Sequence, residues 1–106
     1  MVSNKITYQV EFTDECIEEI NEIYEYISKK LIANESAKRL IQKVKKNILL
    51  LSSNPRLYTK IEKENDIELE YRRMVINNYV VLYTIDDEKK IVYISHMYYG
   101  KRNYLD

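Results

Sequence analysis

The side chains best equipped for chemistry gather near the end of the sequence, where His96, the single histidine, is followed by Tyr98, Tyr99, Lys101, Arg102 and Tyr104. An imidazole or phenol can move a proton, ammonium and guanidinium groups can stabilise the charge of a phosphorane, and tyrosine rings can stack on bases. The set is therefore suited to handling RNA. Two further cations, Arg72 and Arg73, lie in residues 71–85, which contain no acid and so form a locally positive stretch. Adjacent strand residues leave from opposite faces, so at most one of the pair joins a given patch. A plainer reading stands beside this one. A lone histidine at a strand end is more often a hydrogen-bonded structural or surface residue than a catalytic one, and the arginines can be solvated or paired with Glu68, Glu70 or the acidic run at 86–88.

Composition removes other chemistries. Gly100 is the only glycine, so there is no phosphate-cradling loop and no nucleophile elbow. One histidine and one cysteine leave only scattered carboxylates as metal ligands, and we expect neither a metal nor a cofactor. Cys16 has no disulfide partner in the chain and reads as a small apolar residue on a helix face. Seventeen basic residues balance seventeen acidic ones, so attraction to a polyanion has to come from a local patch. No apolar run approaches the roughly 20 residues of a membrane span, and no basic-then-apolar leader opens the sequence. The expected location is the cytoplasm. Eleven of the twelve aromatic residues are tyrosine, which suggests rings inserted at the core margin with their hydroxyls outside.

The elements that must position these residues are legible in the periodicity. Ile6, Tyr8, Val10 and Phe12 alternate with polar residues and mark a first strand. Thr13 can cap a helix from about Asp14 to about Leu31 whose apolar stripe is Cys16, Ile17, Ile20, Ile23, Tyr24, Ile27 and Leu31. After a joint at 33–36, where Asn34 or Ser36 can cap, Ala37, Leu40, Ile41, Val44, Ile48 and Leu51 draw a second helix that stops before Pro55. Helix one carries six acids between Asp14 and Glu25, helix two mostly bases, so opposite charges are expected to flank an antiparallel seam. Residues 56–66 show no period. Strand-like runs then follow at 67–76, 79–85 and 91–98, with turns at Asn77-Asn78 and at 86–88; the middle run is apolar on both faces and should be the central strand. The expectation is one domain over residues 1–106: a two-layer α+β fold in the order β-α-α-β-β-β, a helix hairpin covering an antiparallel meander.

The stretches "EINEIYEYISKKL", "SAKRLIQKVKKNILLLSSNPRLY", "YRRMVINNYVVLYTID" and "IVYISHMYYGKRNY", in this order, resemble the RelE/ParE superfamily of toxins from bacterial type II toxin-antitoxin systems. The resemblance spans nearly the whole chain. It implies a small cytoplasmic growth inhibitor held inactive by a cognate antitoxin laid across apolar grooves; Leu49 and Leu50 are candidate contacts for it. RelE-like members cut mRNA on the ribosome, and ParE-like members inhibit DNA gyrase. In the RelE-like case the resemblance assigns catalysis to Arg72, His96, Arg102 and Tyr104, without a metal. In either case Arg72, Arg73, Tyr98, Tyr99, Lys101 and Arg102 form the candidate target-contact surface. RelE-like enzymes commonly place an Arg after the Tyr of the strand that begins here at Tyr79, where this sequence has Val80. That difference, the neutral charge and the wording of helix one favour the ParE-like branch.

Overall fold

A computed structural model of the chain describes residues 7–30, 32–61 and 70–100. The elements are β1 (Gln9–Phe12), α1 (Asp14–Glu25), a π-helical turn (Tyr26–Lys30), α2 (Asn34–Leu50), β2 (Thr59–Ile61), β3 (Glu70–Ile76), β4 (Tyr79–Asp86) and β5 (Ile91–Tyr99). They build one sheet in the order β1-β5-β4-β3-β2, with β1 parallel to β5 and every other neighbour antiparallel. The expected α+β class and helix hairpin are present, and β4 is the middle strand. Residues 56–66 hold one more strand than the periodicity indicated, because β2 has only three residues and two of them are exposed.

The core lies between the helices and one face of the sheet. Cys16, Ile27, Leu40, Val44 and Ile48 meet Met74, Val81, Tyr83, Val92 and Ile94 there. Ile41 on α2 and Ile20, Ile23 and Tyr24 on α1 are only partly covered, and Ile17 is exposed on α1. Tyr83 departs from the core-margin pattern, since its ring is fully buried and its hydroxyl donates to the Pro55 carbonyl at 2.9 Å. Val80, Leu82 and Tyr98, with Ile61 against them, form a second, smaller cluster on the opposite face. Thus β4 is buried on both sides, as its composition requires.

Thr13 caps α1 as expected: its side-chain oxygen accepts the Cys16 amide at 3.2 Å and its hydroxyl donates to the Ser95 carbonyl at 3.0 Å. The second cap differs. Neither Asn34 nor Ser36 takes that role; the flanking residue is Ala33, which makes no side-chain cap. Helix one also does not run on as a regular α-helix. It loosens into the π-helical turn and closes with the Ala33 amide on the Ile27 carbonyl at 3.2 Å, while Ile32 adopts a left-handed φ of 48°. The closure leaves Ala33 at the cap position, where its carbonyl receives the Ala37 amide but its methyl side chain offers no acceptor for the free helical amides. Ile6, Leu31 and residues 62–69 lie outside the described residues.

The expected pairing of charges along the helix seam yields no ion pair among the described residues; the pair on this part of the chain is internal, Lys29 with Glu25. At the other end of the sheet the turns behave as read. Asn77 and Asn78 take φ of 48° and 71°, the left-handed geometry of a two-residue hairpin turn. Gly100 follows β5 past this turn, and its amide donates to the Asn78 carbonyl. A Cβ at Gly100 would stand 2.8 Å from that carbonyl oxygen, which accounts for glycine there.

Candidate functional site

Strand register places the candidate residues. Arg72 pairs with Tyr83, and Arg73 pairs with Leu82, which pairs in turn with His96. Side chains alternate along a strand, so Arg72 leaves toward the helix side with Tyr83, while Arg73, Leu82 and His96 form one row on the opposite face, where Leu82 is buried and Arg73 and His96 are exposed. Two strand spacings separate Arg73 from His96, roughly 10 Å between their backbones. A register shift between Leu82 and Tyr83 leaves Ser95 as the extra residue of a bulge, with its hydroxyl donating to the Leu82 carbonyl at 3.1 Å. Such bulges re-aim the residues that follow them.

Arg72 is not a free cation. Its Nε donates to Glu70, its Nη1 donates to the Tyr58 carbonyl at 2.6 Å, and its side chain is 14% exposed. Glu70 also receives Arg56, which reaches on to Asp87, and Asp87 accepts the Tyr8 hydroxyl at 2.6 Å. Burial pushes the Glu70 carboxyl upward, but the hydrogen bonds from Arg56 and Arg72 outweigh it and hold the group below the usual carboxylate range. Hydrogen bonds from Arg56 and then from Tyr8 bring Asp87 down to about 2. This network ties the chain after α2 to the β3 strand and to the β4–β5 turn, which makes it architecture.

His96 is also engaged. Its Nδ1 lies 3.1 Å from Glu19 Oε1, the same oxygen that accepts the Met97 amide at 3.0 Å. The reason is topological: β1 pairs with β5 only as far as Phe12 opposite Ile94, and the chain then turns into α1. Glu19 supplies the acceptor that a longer β1 would have offered. Cys16 packs on the same helix, and its thiol is pushed up to about 12 by burial and, second, by Glu19, so it stays protonated and inert.

Beyond Glu19, α1 and β5 diverge around a cleft of about 860 Å³. Tyr26, Tyr79 and Tyr99 line it, with Tyr79 and Tyr99 edge to face at 5.6 Å between ring centres. Glu15, Glu18, Glu19 and Glu22 line it as well. Their spacing of three, one and three residues is the signature of one helix face, a signal present in the sequence but read there only as charge for the helix seam. Of the target-contact candidates, Tyr98 is buried, Tyr99 is 41% exposed and Arg73 is exposed. Lys101, Arg102 and Tyr104 lie outside the described residues. The structure therefore brings Arg73 and His96 to one face and separates Arg72 from both. Among the described residues no group of three or more His, Cys, Asp or Glu is placed to hold a metal ion.

Residues 10–104 match the model of the family described as ParE toxin of type II toxin-antitoxin system, parDE. With so much of the chain matched, the protein belongs to that family and is a type II toxin of the RelE/ParE superfamily. Solved structures share the fold. The chromosomal ParDE toxin-antitoxin system of Pseudomonas aeruginosa aligns at 14% identity with a TM-score of 0.67, over 86% of this chain and 94% of that one. The RelBE2 toxin-antitoxin complex of Mycobacterium tuberculosis gives 21% and 0.63, over 92% and 97%. The archaeal RelE-RelB complex of Pyrococcus horikoshii gives 17% and 0.58, over 92% and 99%. No curated relative matches the sequence significantly.

Proposed function

We propose that this toxin inhibits growth in the ParE manner, by binding DNA gyrase, and that a cognate antitoxin neutralises it in the cytoplasm. The observation that carries the reading is the separation of Arg72 from His96. RNA cleavage without a metal needs a proton-transfer group and a cation converging on one phosphate. Arg72 is instead committed to Glu70 and the Tyr58 carbonyl on the helix side, and His96 is held by Glu19. Val80, where a RelE-like enzyme would place arginine, belongs to the small apolar cluster with Leu82 and Tyr98. A protein-binding surface needs no such convergence. Arg73 and Tyr99, together with Lys101 and Arg102 of the tail, supply the cationic and aromatic groups common at interface centres.

A second reading has one observation in its favour. Arg73 and His96 share the sheet face turned away from the helices, and with Arg102 and Tyr104 they could serve a ribosome-dependent ribonuclease. Induction in a bacterial host separates the two. Growth arrest relieved by the adjacent antitoxin gene, with a DNA-damage response and unchanged mRNA 5′ ends, is the expected outcome. New ends within translated codons, without DNA damage, would select the ribonuclease.

A further inference from the structure

The cleft between α1 and the end of β5 combines three features. The first is an open strand edge. Past Ile94 the outer side of β5 has no strand beside it among the described residues. The Met97 amide points outward to Glu19, whereas the Gly100 amide points inward to Asn78. Amide directions alternate along a strand, so Tyr99 presents its N–H and C=O outward, as Met97 does its C=O, with no strand to receive them. The second is aromatic surface: Tyr26 and Tyr99 are 53% and 41% exposed on the two walls. The third is charge. Glu15, Glu18 and Glu22 have no ion pair or side-chain hydrogen bond among the described residues, and no described lysine or arginine lines the cleft.

We propose that this cleft is a docking groove for an extended, lysine- or arginine-bearing segment of a partner protein, which adds as a short strand along Met97–Tyr99. Strand addition would satisfy the outward backbone groups, and cationic side chains of the bound segment would meet the carboxylates that line the cleft beside the tyrosines. A polyanion is disfavoured by the same glutamates, and a purely apolar segment would leave their charge unanswered. Failure of this proposal leaves the antitoxin partnership untouched, because copurification with the adjacent gene product measures that separately.

The test uses the full chain freed of antitoxin and a fluorescein-labelled ten-residue peptide of alternating lysine and valine, followed by anisotropy. Binding is expected, weakening several-fold between low and physiological salt, with slowed hydrogen exchange at the Tyr99 amide. The E18Q/E22Q double variant, whose exposed substitutions leave the fold intact by circular dichroism, should bind about fivefold more weakly. An alternating glutamate–valine peptide should not bind. The proposal is overturned by no lysine-peptide binding up to about 1 mM, by equal binding of the glutamate peptide or to the double variant, or by binding that leaves Tyr99 exchange unchanged.

Discussion

Glu19 on α1 accepts the backbone amide of Met97 on β5 at 3.0 Å, completing with a side chain the strand pairing that β1 abandons at Phe12. A short parallel strand is thereby extended by a helix, and His96 is gathered into the same contact.

Replacing Glu19 with alanine leaves the partly buried Met97 amide without its acceptor, and a hydrogen bond to a charged group is worth about 1.5–3 kcal/mol. Glu19→Ala should lower the melting temperature on the order of 10 °C, and Glu19→Gln, which keeps an acceptor, by less than half of that. Equal melting of all three proteins would show that water replaces the carboxylate at no cost.

Arg72 and Arg73, neighbours in sequence, should separate in their effects. Arg72→Ala breaks the contacts to Glu70 and the Tyr58 carbonyl and is expected to cost about 2 kcal/mol of stability. Arg73→Ala, at an exposed position, should change stability by less than about 0.5 kcal/mol while reducing toxicity at least tenfold. Thermal melts combined with growth curves check both halves.

Tyr83 gives the protein an alkaline limit. Burial pushes its hydroxyl up to about 12, above the value near 10 of an unfolded chain. The folded state therefore holds the proton more tightly. The associated stability is complete below pH 10 and is lost as the pH rises from about 10 to about 12, by up to about 2 kcal/mol. Tyr83→Phe should be less stable at neutral pH, because the Pro55 carbonyl loses its donor, yet show a flatter decline between pH 10 and 12. Denaturant titrations across that range measure the slope.

Ile32 is 86% exposed and held at a φ of 48°, a region that penalises a β-branched side chain by about 1–2 kcal/mol. Ile32→Gly, at the position where helices favour glycine, should raise stability by roughly 1 kcal/mol. A decrease would mean that the side chain makes a contact whose loss exceeds the relieved strain.

These contrasts also indicate what the sequence could reveal. Strong local signals located their elements: the alternation through Val10 and Phe12 marks β1, although Phe12 is exposed, and the Thr13 cap, the Ala37–Leu51 stripe and the Asn77-Asn78 turn likewise depend on neighbouring residues alone. What escaped depends on distant partners. β2 has three residues and little apolar character, so only its pairing with β3 makes it a strand. The π-helical turn answers to the closure at Ala33, and nothing in "YISKK" announces it. Arg72 and Arg73 are read from sequence as leaving opposite faces, but only register shows that Arg72 joins the Glu70 network and Arg73 the other face. Glu19 read as one acid among six; its role follows from where β1 ends.

Contact with gyrase, and not RNA cleavage, is the proposed mode of action of this toxin. Its most direct test is a supercoiling assay with purified gyrase, titrated with the wild-type toxin and with Arg73→Ala, alongside ribosomes translating a defined mRNA. Inhibition of supercoiling by the wild type, at least tenfold weaker inhibition by Arg73→Ala, and intact mRNA are expected. Codon-specific cleavage of the mRNA with supercoiling unaffected would contradict it.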